Sequence, residues 1–350
     1  MPVIKGRGTA RNPEGRFEPA SRPLYDPTAR TKPRTQVMEE QTKGAISRNE
    51  SPDIPFSRSV NPYRGCEHGC VYCFARPSHE DLGHSAGLDF ETKLYAKQNI
   101  AAILQRQIAA PSYKCSPIAL GANTDPYQPI ERDRLLTRDI LSVLATFDHP
   151  VTVITKSALV CRDLDLLAAM AEKELAMVSI SLTTLNNELA RTLEPRAATP
   201  AKRLEAIRRL SEVGIPVAVL TSPMIPGLND HELERLLEAA RNAGARSASY
   251  VLIRLPHGLA ALFEDWLKTH RPRHANKVMS LIRQCRDGGL YEAKFGARMR
   301  GSGPVADMIA TRFAAACKRL GLSRGRPPLD TSQFRAPVEP GLQLSLFDDL

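Results

Sequence analysis

Between residues 117 and 255 short aliphatic runs alternate strictly with helical patterns, and this alternation constrains the fold more than any other feature of the chain. The runs are "PIALG" (117–121), "VTVI" (151–154), "MVSISL" (177–182), "PVAVL" (216–220) and "YVLIRL" (250–255), and each reads as a strand. Between them, Leu135, Ile140, Leu141 and Leu144, then Leu164, Leu167 and Met170, then Leu204, Ile207 and Leu210, then Leu233, Leu236, Leu237 and Ala240 recur at helical spacing. Gly214 and Pro216 close one helix, while Asn229 with Glu232 predicts a capping box for the next, which ends at Gly244. Such a pattern demands parallel strands with helices outside and right-handed crossovers, as in a (β/α) barrel or a doubly wound sheet. A further strand near residues 57–63 brings the total to six β/α units, too few for a closed eight-stranded barrel.

In such folds chemistry collects on the loops after the carboxyl ends of the strands. The polar residues follow suit. Cys66, Cys70 and Cys73 come after the first strand, Asn123, Thr124 and Asp125 after the second and Lys156 after the third. Ser179, Ser181 and Thr183 end the fourth, Ser222 follows the fifth and Arg254 ends the sixth. The segment "RGCEHGCVYCFARP" (64–77) holds three of the seven cysteines as C-x3-C-x2-C, with Gly65 and Gly69 letting the backbone wrap closely. An odd cysteine count with uneven spacing, and no apolar run in "MPVIKGRGTARNPEG", lead us to expect a reducing, cytoplasmic setting, no membrane association, and metal ligation rather than disulfides. Two metal centres suit three thiolates here: zinc completed by His68, His79 or His84, and a four-iron cluster with one iron left open.

The cysteine spacing, with the aromatic Tyr72 before the last cysteine, resembles the signature of the radical S-adenosylmethionine superfamily. "SPDIPFSRSVNPYRGCEHGCVYCFARP", "ALGANTDPYQPIE", "ITKSALVCRDLDLL" and "LEPRAATPAKRLEAI" together resemble the branch related to spore photoproduct lyase, over residues 51 to about 320. The resemblance implies a partial (β/α)6 TIM-like barrel and a [4Fe-4S] cluster on Cys66, Cys70 and Cys73. It also implies reductive cleavage of S-adenosylmethionine to a 5'-deoxyadenosyl radical, and an electron donor of flavodoxin or ferredoxin type. Lys156 and Ser181 match residues that hold S-adenosylmethionine in that family; a lysine suits its carboxylate and a serine its polar groups. Ser179 shares a strand face with Ser181 and is an alternative ligand. Glu194 and Arg196 in "LEPR" form either an ion pair that fixes the loop or a contact to the ligand. Asn123 stands where true spore photoproduct lyases carry a hydrogen-donating cysteine, which separates this chain from thymine-dimer repair by that route. Asn123, Asp125 and Tyr127, with Gln128, are candidates for a substrate pocket or for a Pro-braced turn.

The net charge of +10 favours an anionic partner such as DNA or RNA. Half of that excess lies in residues 1–36, where eight Lys or Arg face three acidic residues among six prolines. Residues 1–50 therefore read as a basic, disordered arm, 51–270 as the barrel, 271–322 as a helical extension and 323–350 as an extended tail. "CRDGGLYEAKFGARMRG" (285–301) reads either as a phosphate-tracking segment or as a solvated connection. Cys115, Cys161, Cys285 and Cys317 lack ligand spacing and read as small hydrophobes. In the tail, "QLSLF" resembles the peptide by which bacterial polymerases and repair proteins dock on the sliding clamp, with Gln343 in a polar pocket and Leu344, Leu346 and Phe347 in an apolar groove. Three functional classes compete: a radical enzyme acting on nucleic acid, the same chemistry on a protein or small molecule, and a non-catalytic zinc-braced nucleic-acid-binding module.

Overall fold

The structure is a computed structural model that describes residues 3–17, 33–325 and 327–336. Its main sheet has seven strands in the order β10-β9-β8-β7-β6-β3-β2. These are β2 (Ile46–Arg48), β3 (Arg58–Val60), β6 (Ile118–Leu120), β7 (Val151–Thr155), β8 (Ala176–Ser181), β9 (Val217–Met224) and β10 (Ser247–Leu252). From β3 to β10 every neighbouring pair is parallel, while β2 runs antiparallel along β3 as an edge. The six parallel strands are the six expected units, arranged as a partial (β/α)6 barrel. A second sheet joins β1 (Gln36–Glu40), β4 (Tyr63–Arg64) and β5 (Lys93–Lys97) in the order β1-β5-β4.

Strand alternation gives the main sheet two unlike faces. Ile118, Leu120, Val151, Val153, Ala176, Val178, Ile180, Val217 and Val219 pack into one continuous core beneath the helices. The intervening positions, including Ser59, Ala119, Thr152, Ser179, Ser181, Ala218 and Ser222, therefore face the concave side. The helix-facing core supplies the stabilisation, at about 25 cal/mol per Å² of apolar surface removed from water. The side chains on the other face are small or polar. Cys161, Cys285 and Cys317 lie in the same core, as small hydrophobes.

Three local expectations are corrected. Asn229 and Glu232 do not form a capping box: Asn229 bonds the Ile225 amide and the Thr183 and Pro223 carbonyls, and Glu232 accepts from Thr184 and the Leu185 amide. Both side chains are drawn to buried backbone between β8 and β9, where an unmade hydrogen bond costs more than an uncapped helix start.

The second correction concerns the amino end. Ile4 and Thr9 are buried, residues 36–40 pair with β5 as its parallel neighbour, and β2 closes the main sheet. Two of its arginines make ion pairs within the fold, Arg11 with Asp265 and Arg16 with Glu80. Local composition hid this, because the partners lie at least 64 residues away in sequence. Residues 18–32 fall outside the described residues.

The third concerns the tail, which is docked as far as residue 336. Asp330 bonds the Glu174 carbonyl, Arg335 bonds the Phe147 carbonyl, and Phe334 packs on Tyr113, Phe147 and His149. These anchors precede β7 and β8, so this stretch sits at the end of the sheet opposite the cysteine loop. Gln343, Leu344, Leu346 and Phe347 lie outside the described residues. Among the described residues, no helix is long and apolar enough to cross a membrane.

Candidate metal and S-adenosylmethionine site

Cys66, Cys70 and Cys73 lie on the loop that leaves β4 and reaches the 3-10 helix Arg76–Leu82. All three are free thiols. The loop is held by its own backbone and by buried side chains. Cys66 N donates to Phe90 O at 2.9 Å, Val71 N to Leu193 O at 3.0 Å and Cys73 N to Cys70 O at 3.2 Å. Gln128 clamps one arm, accepting from the Glu67 amide at 2.9 Å and donating to the Gly65 carbonyl at 3.1 Å. Arg76, fully buried, clamps the other: it donates to the carbonyls of Cys70, Gly69, Ala86 and Gly87 and pairs with Glu91 at 2.6 Å. Glu91 in turn accepts from the Gly8 amide at 2.9 Å and the Thr9 amide at 3.1 Å, which binds the amino-terminal strap to the loop.

Burial pushes all three thiols up; against it, the Asp125 amide bonds Cys66, the Ala75 amide bonds Cys73, and the Lys156 charge bears on Cys70. Such thiols are ready to give up protons only to a cationic metal centre, which deprotonates its ligands outright. Two of the histidines offered for a zinc site have other partners. His68 Nδ1 lies 3.3 Å from Asp125 Oδ2 and His84 Nε2 bonds the Tyr95 hydroxyl at 2.7 Å, whereas His79 lies tilted against His84 and edge-on to Phe90 with its Nε2 unpartnered among the described residues. Among the described residues, no three His, Cys, Asp or Glu side chains gather as a single-ion site.

Behind the loop lies a buried charged network. Glu194 accepts from the Tyr72 hydroxyl, from Thr183 Oγ1 at 2.8 Å and from Arg203, and it stands 3.7 Å from Lys156 Nζ. Burial pushes its carboxyl up, but Arg203 and Lys156 outweigh that and hold it at about 2. Lys156 loses by burial and gains more from Glu194 and Cys70, so its pKa rises, and its ammonium lies 5.7 Å from the Tyr72 ring centre. Arg203 also donates to the Ser181 carbonyl at 3.0 Å, tying the network to β8. Ser179 Oγ is buried on the concave face with no hydrogen-bond partner among the described residues.

Several candidates sit elsewhere than expected. Glu194 pairs with Arg203 and Lys156, whereas Arg196 pairs with Glu67 at 3.0 Å. Tyr127 is fully buried in the helix-side core with its hydroxyl on Asp163 at 2.8 Å, so it does not line the concave face. Asp125 is spent on Thr155 at 2.6 Å and on the Lys156 amide at 2.8 Å; burial pushes it up, but His68 and these hydrogen bonds hold it at about 2. Asn123 is exposed, its amide bonded to Asn61. Arg76, Glu91 and Arg203 carry no spacing signature: Arg76 and Arg203 find their partners 6 to 15 residues away only once the intervening loops fold, and Glu91 meets the amino-terminal strap 82 or more residues away.

The fold and site thus define a partial β/α barrel that carries three free thiols on one loop beside Lys156. The sequence model of the Radical SAM superfamily matches residues 60–240, over half of the chain, and the chain belongs to that superfamily. Enzymes of this superfamily use a [4Fe-4S] cluster and S-adenosylmethionine. The uncharacterized protein Rv2578c of Mycobacterium tuberculosis is 36% identical over 233 residues, covering 66% of this chain and 68% of its own. The uncharacterized protein MJ0683 of Methanocaldococcus jannaschii is 28% identical over 197 residues, covering 56% and 71%. Spore photoproduct lyase complexed with dinucleoside spore photoproduct shares the fold, with a TM-score of 0.61 at 12% identity over 82% of this chain and 81% of that one. A variant of that lyase with bound AdoMet and the dinucleoside aligns with a TM-score of 0.55 at 14% identity, over the same shares.

Proposed function

We propose that this chain holds a [4Fe-4S] cluster on Cys66, Cys70 and Cys73, cleaves S-adenosylmethionine reductively, and acts on nucleic acid. The observation that carries the reading is the set of three free thiols on one clamped loop, Cys66 and Cys70 buried and Cys73 partly so, with Lys156 and the partnerless Ser179 hydroxyl beside it. When bound, the reduced cluster supplies the electron that splits S-adenosylmethionine into methionine and a 5'-deoxyadenosyl radical. The chain's own residues do the rest. Lys156 offers a cation to the ligand's carboxylate while Glu194 keeps it protonated, and Ser179 and Ser181 offer hydroxyls to its polar groups. Tyr72 is locked by Glu194 and Thr183, which fixes the backbone between Cys70 and Cys73. Arg196, through Glu67, and Asp125, through the Cys66 sulfur, position the loop.

The net charge supports a nucleic-acid substrate, and a solved protein of the same fold holds a dinucleoside. A flavodoxin- or ferredoxin-type protein is the matching electron donor. Docking of "QLSLF" on a sliding clamp belongs to the same reading, and deletion of residues 343–350 would abolish it. The decisive test is anaerobic purification of the full chain. Brown protein with iron and sulfide that forms 5'-deoxyadenosine under dithionite is expected, and Cys70→Ala should lose both the iron and the product. Colourless protein containing one zinc would refute the reading.

A further inference from the structure

At the carboxyl end of β10, Arg254 lies between two aromatic rings, with its guanidinium carbon 5.8 Å from the Phe74 centroid and 5.8 Å from the Tyr291 centroid. Its Nη1 donates to the Met299 sulfur at 3.6 Å, and its buried Nε has no partner among the described residues. Phe74 directly follows the last cysteine of the loop and is 50% exposed. Phe295, on the segment 285–301, is 58% exposed and lies under the Arg298 guanidinium at 4.7 Å. That segment is fixed at the mouth. Arg298 and the Gly296 amide bind Asp53, and Arg286 reaches the carbonyls of Leu252, Ile253, Ala297 and Arg298.

The charge balance at this rim is positive. Asp53, a carboxylate that feels the Arg254 charge, is already held by Arg298, while Arg286 is buried on carbonyls close enough to Arg254 to be repelled by it and close enough to Glu292 to be attracted. Flat rings left half in water beside a guanidinium without a carboxylate are the recognition chemistry of unstacked bases with their phosphates. An apolar peptide would instead need an enclosed groove for its side chains.

We propose that Phe74, Tyr291, Phe295 and Arg254 form a stacking rim that takes an unpaired base of single-stranded nucleic acid and delivers it beside the cysteine loop. This rests on the nucleic-acid reading above and names the residues that carry it. The rim also gives a role to residues 291–298, the outer part of a segment that Cys285 and Arg286 anchor to the barrel.

The test is fluorescence anisotropy of a labelled single-stranded oligodeoxynucleotide of mixed sequence, and of its duplex, with the anaerobically purified full chain. Single-strand binding tighter than duplex binding is expected, with Phe74→Ala and Phe295→Ala each weakening it by about five- to a hundredfold. Phe74→Tyr should retain the affinity, and Arg254→Gln should lower the salt dependence by about 0.7 in the log–log slope. Both phenylalanines are at least half exposed, so truncation leaves the fold intact. No binding, preference for the duplex, or wild-type affinity in both alanine variants would overturn the proposal. Formation of 5'-deoxyadenosine by a wild-type protein that binds no oligonucleotide would sink the rim while leaving the cofactor chemistry standing; tight single-strand binding by protein without iron would do the reverse.

Discussion

Glu194→Gln isolates the buried network behind the cysteine loop. The carboxylate is shielded from water, as is Arg203, and Lys156 is largely so, with side-chain exposures of 1%, 2% and 18%. At about 4 Å and an effective dielectric near 20, each unit-charge pair contributes about 4 kcal/mol of attraction. Removing the negative charge forfeits two such attractions and leaves two cations repelling each other. Relaxation and water entry reduce the net loss, and breaking a buried pair from one side costs roughly 3–5 kcal/mol. Urea unfolding of the anaerobic protein should report this loss as a lower midpoint at unchanged slope. Iron retention should fall too, since Tyr72 loses the acceptor that orders the backbone between Cys70 and Cys73. Replacing Glu194→Leu together with Arg203→Met should recover part of the stability, because the desolvation cost of that pair disappears while Lys156 still loses its carboxylate. A Glu194→Gln protein within about 1 kcal/mol of wild type would show that the network is wet and the electrostatic reasoning wrong.

Two further predictions follow from the strap and from a buried imidazole. A methyl on Gly8 would meet the Gly69 carbonyl oxygen at 1.8 Å, so Gly8→Ala must lift the strap. At about 1–3 kcal/mol for such overpacking, trypsin cleavage after Arg7 and Arg11 should accelerate by five- to a hundredfold; an unchanged rate would mean that the strap does not bear on the loop. His149 is fully buried; Nδ1–H donates to the Pro150 carbonyl and Nε2 accepts from Tyr113, while burial lowers its pKa to about 4. Unfolding frees it to bind a proton near its ordinary value, about 6.5. Stability is therefore fully present above that value and falls as pH drops toward 4, by up to about 3 kcal/mol from this group. His149→Gln should flatten the decline in thermal midpoint between pH 6.5 and 4, and an equally steep decline would refute the assignment.

Much of this was legible in the sequence because it is written in local patterns. The six parallel strands follow from period-two aliphatic runs spaced by helical periodicity, which fix what can be buried whatever the neighbours are. The cysteine spacing and its position after the first strand are likewise properties of a short segment, and the rule that polar residues gather at strand carboxyl ends collected the loop, Lys156 and the two serines. What the sequence could not convey is which charges meet. Glu194 sits two residues from Arg196 yet binds Arg203 and Lys156, because it caps the carboxyl end of the helix Asn187–Leu193 and is buried there. Tyr127 has the same local look as Asn123 but faces the helices. The arm's composition predicted solvation, whereas Gly8 and Thr9 meet Glu91, 82 or more residues away, and Arg254 gains its two rings from segments that only folding brings to the mouth. Periodicity determines burial along one element at a time; the partners of a buried charge or an exposed ring are set by tertiary contact, and so the fold and the thiol loop belonged to the sequence while the network and the rim belonged to the structure.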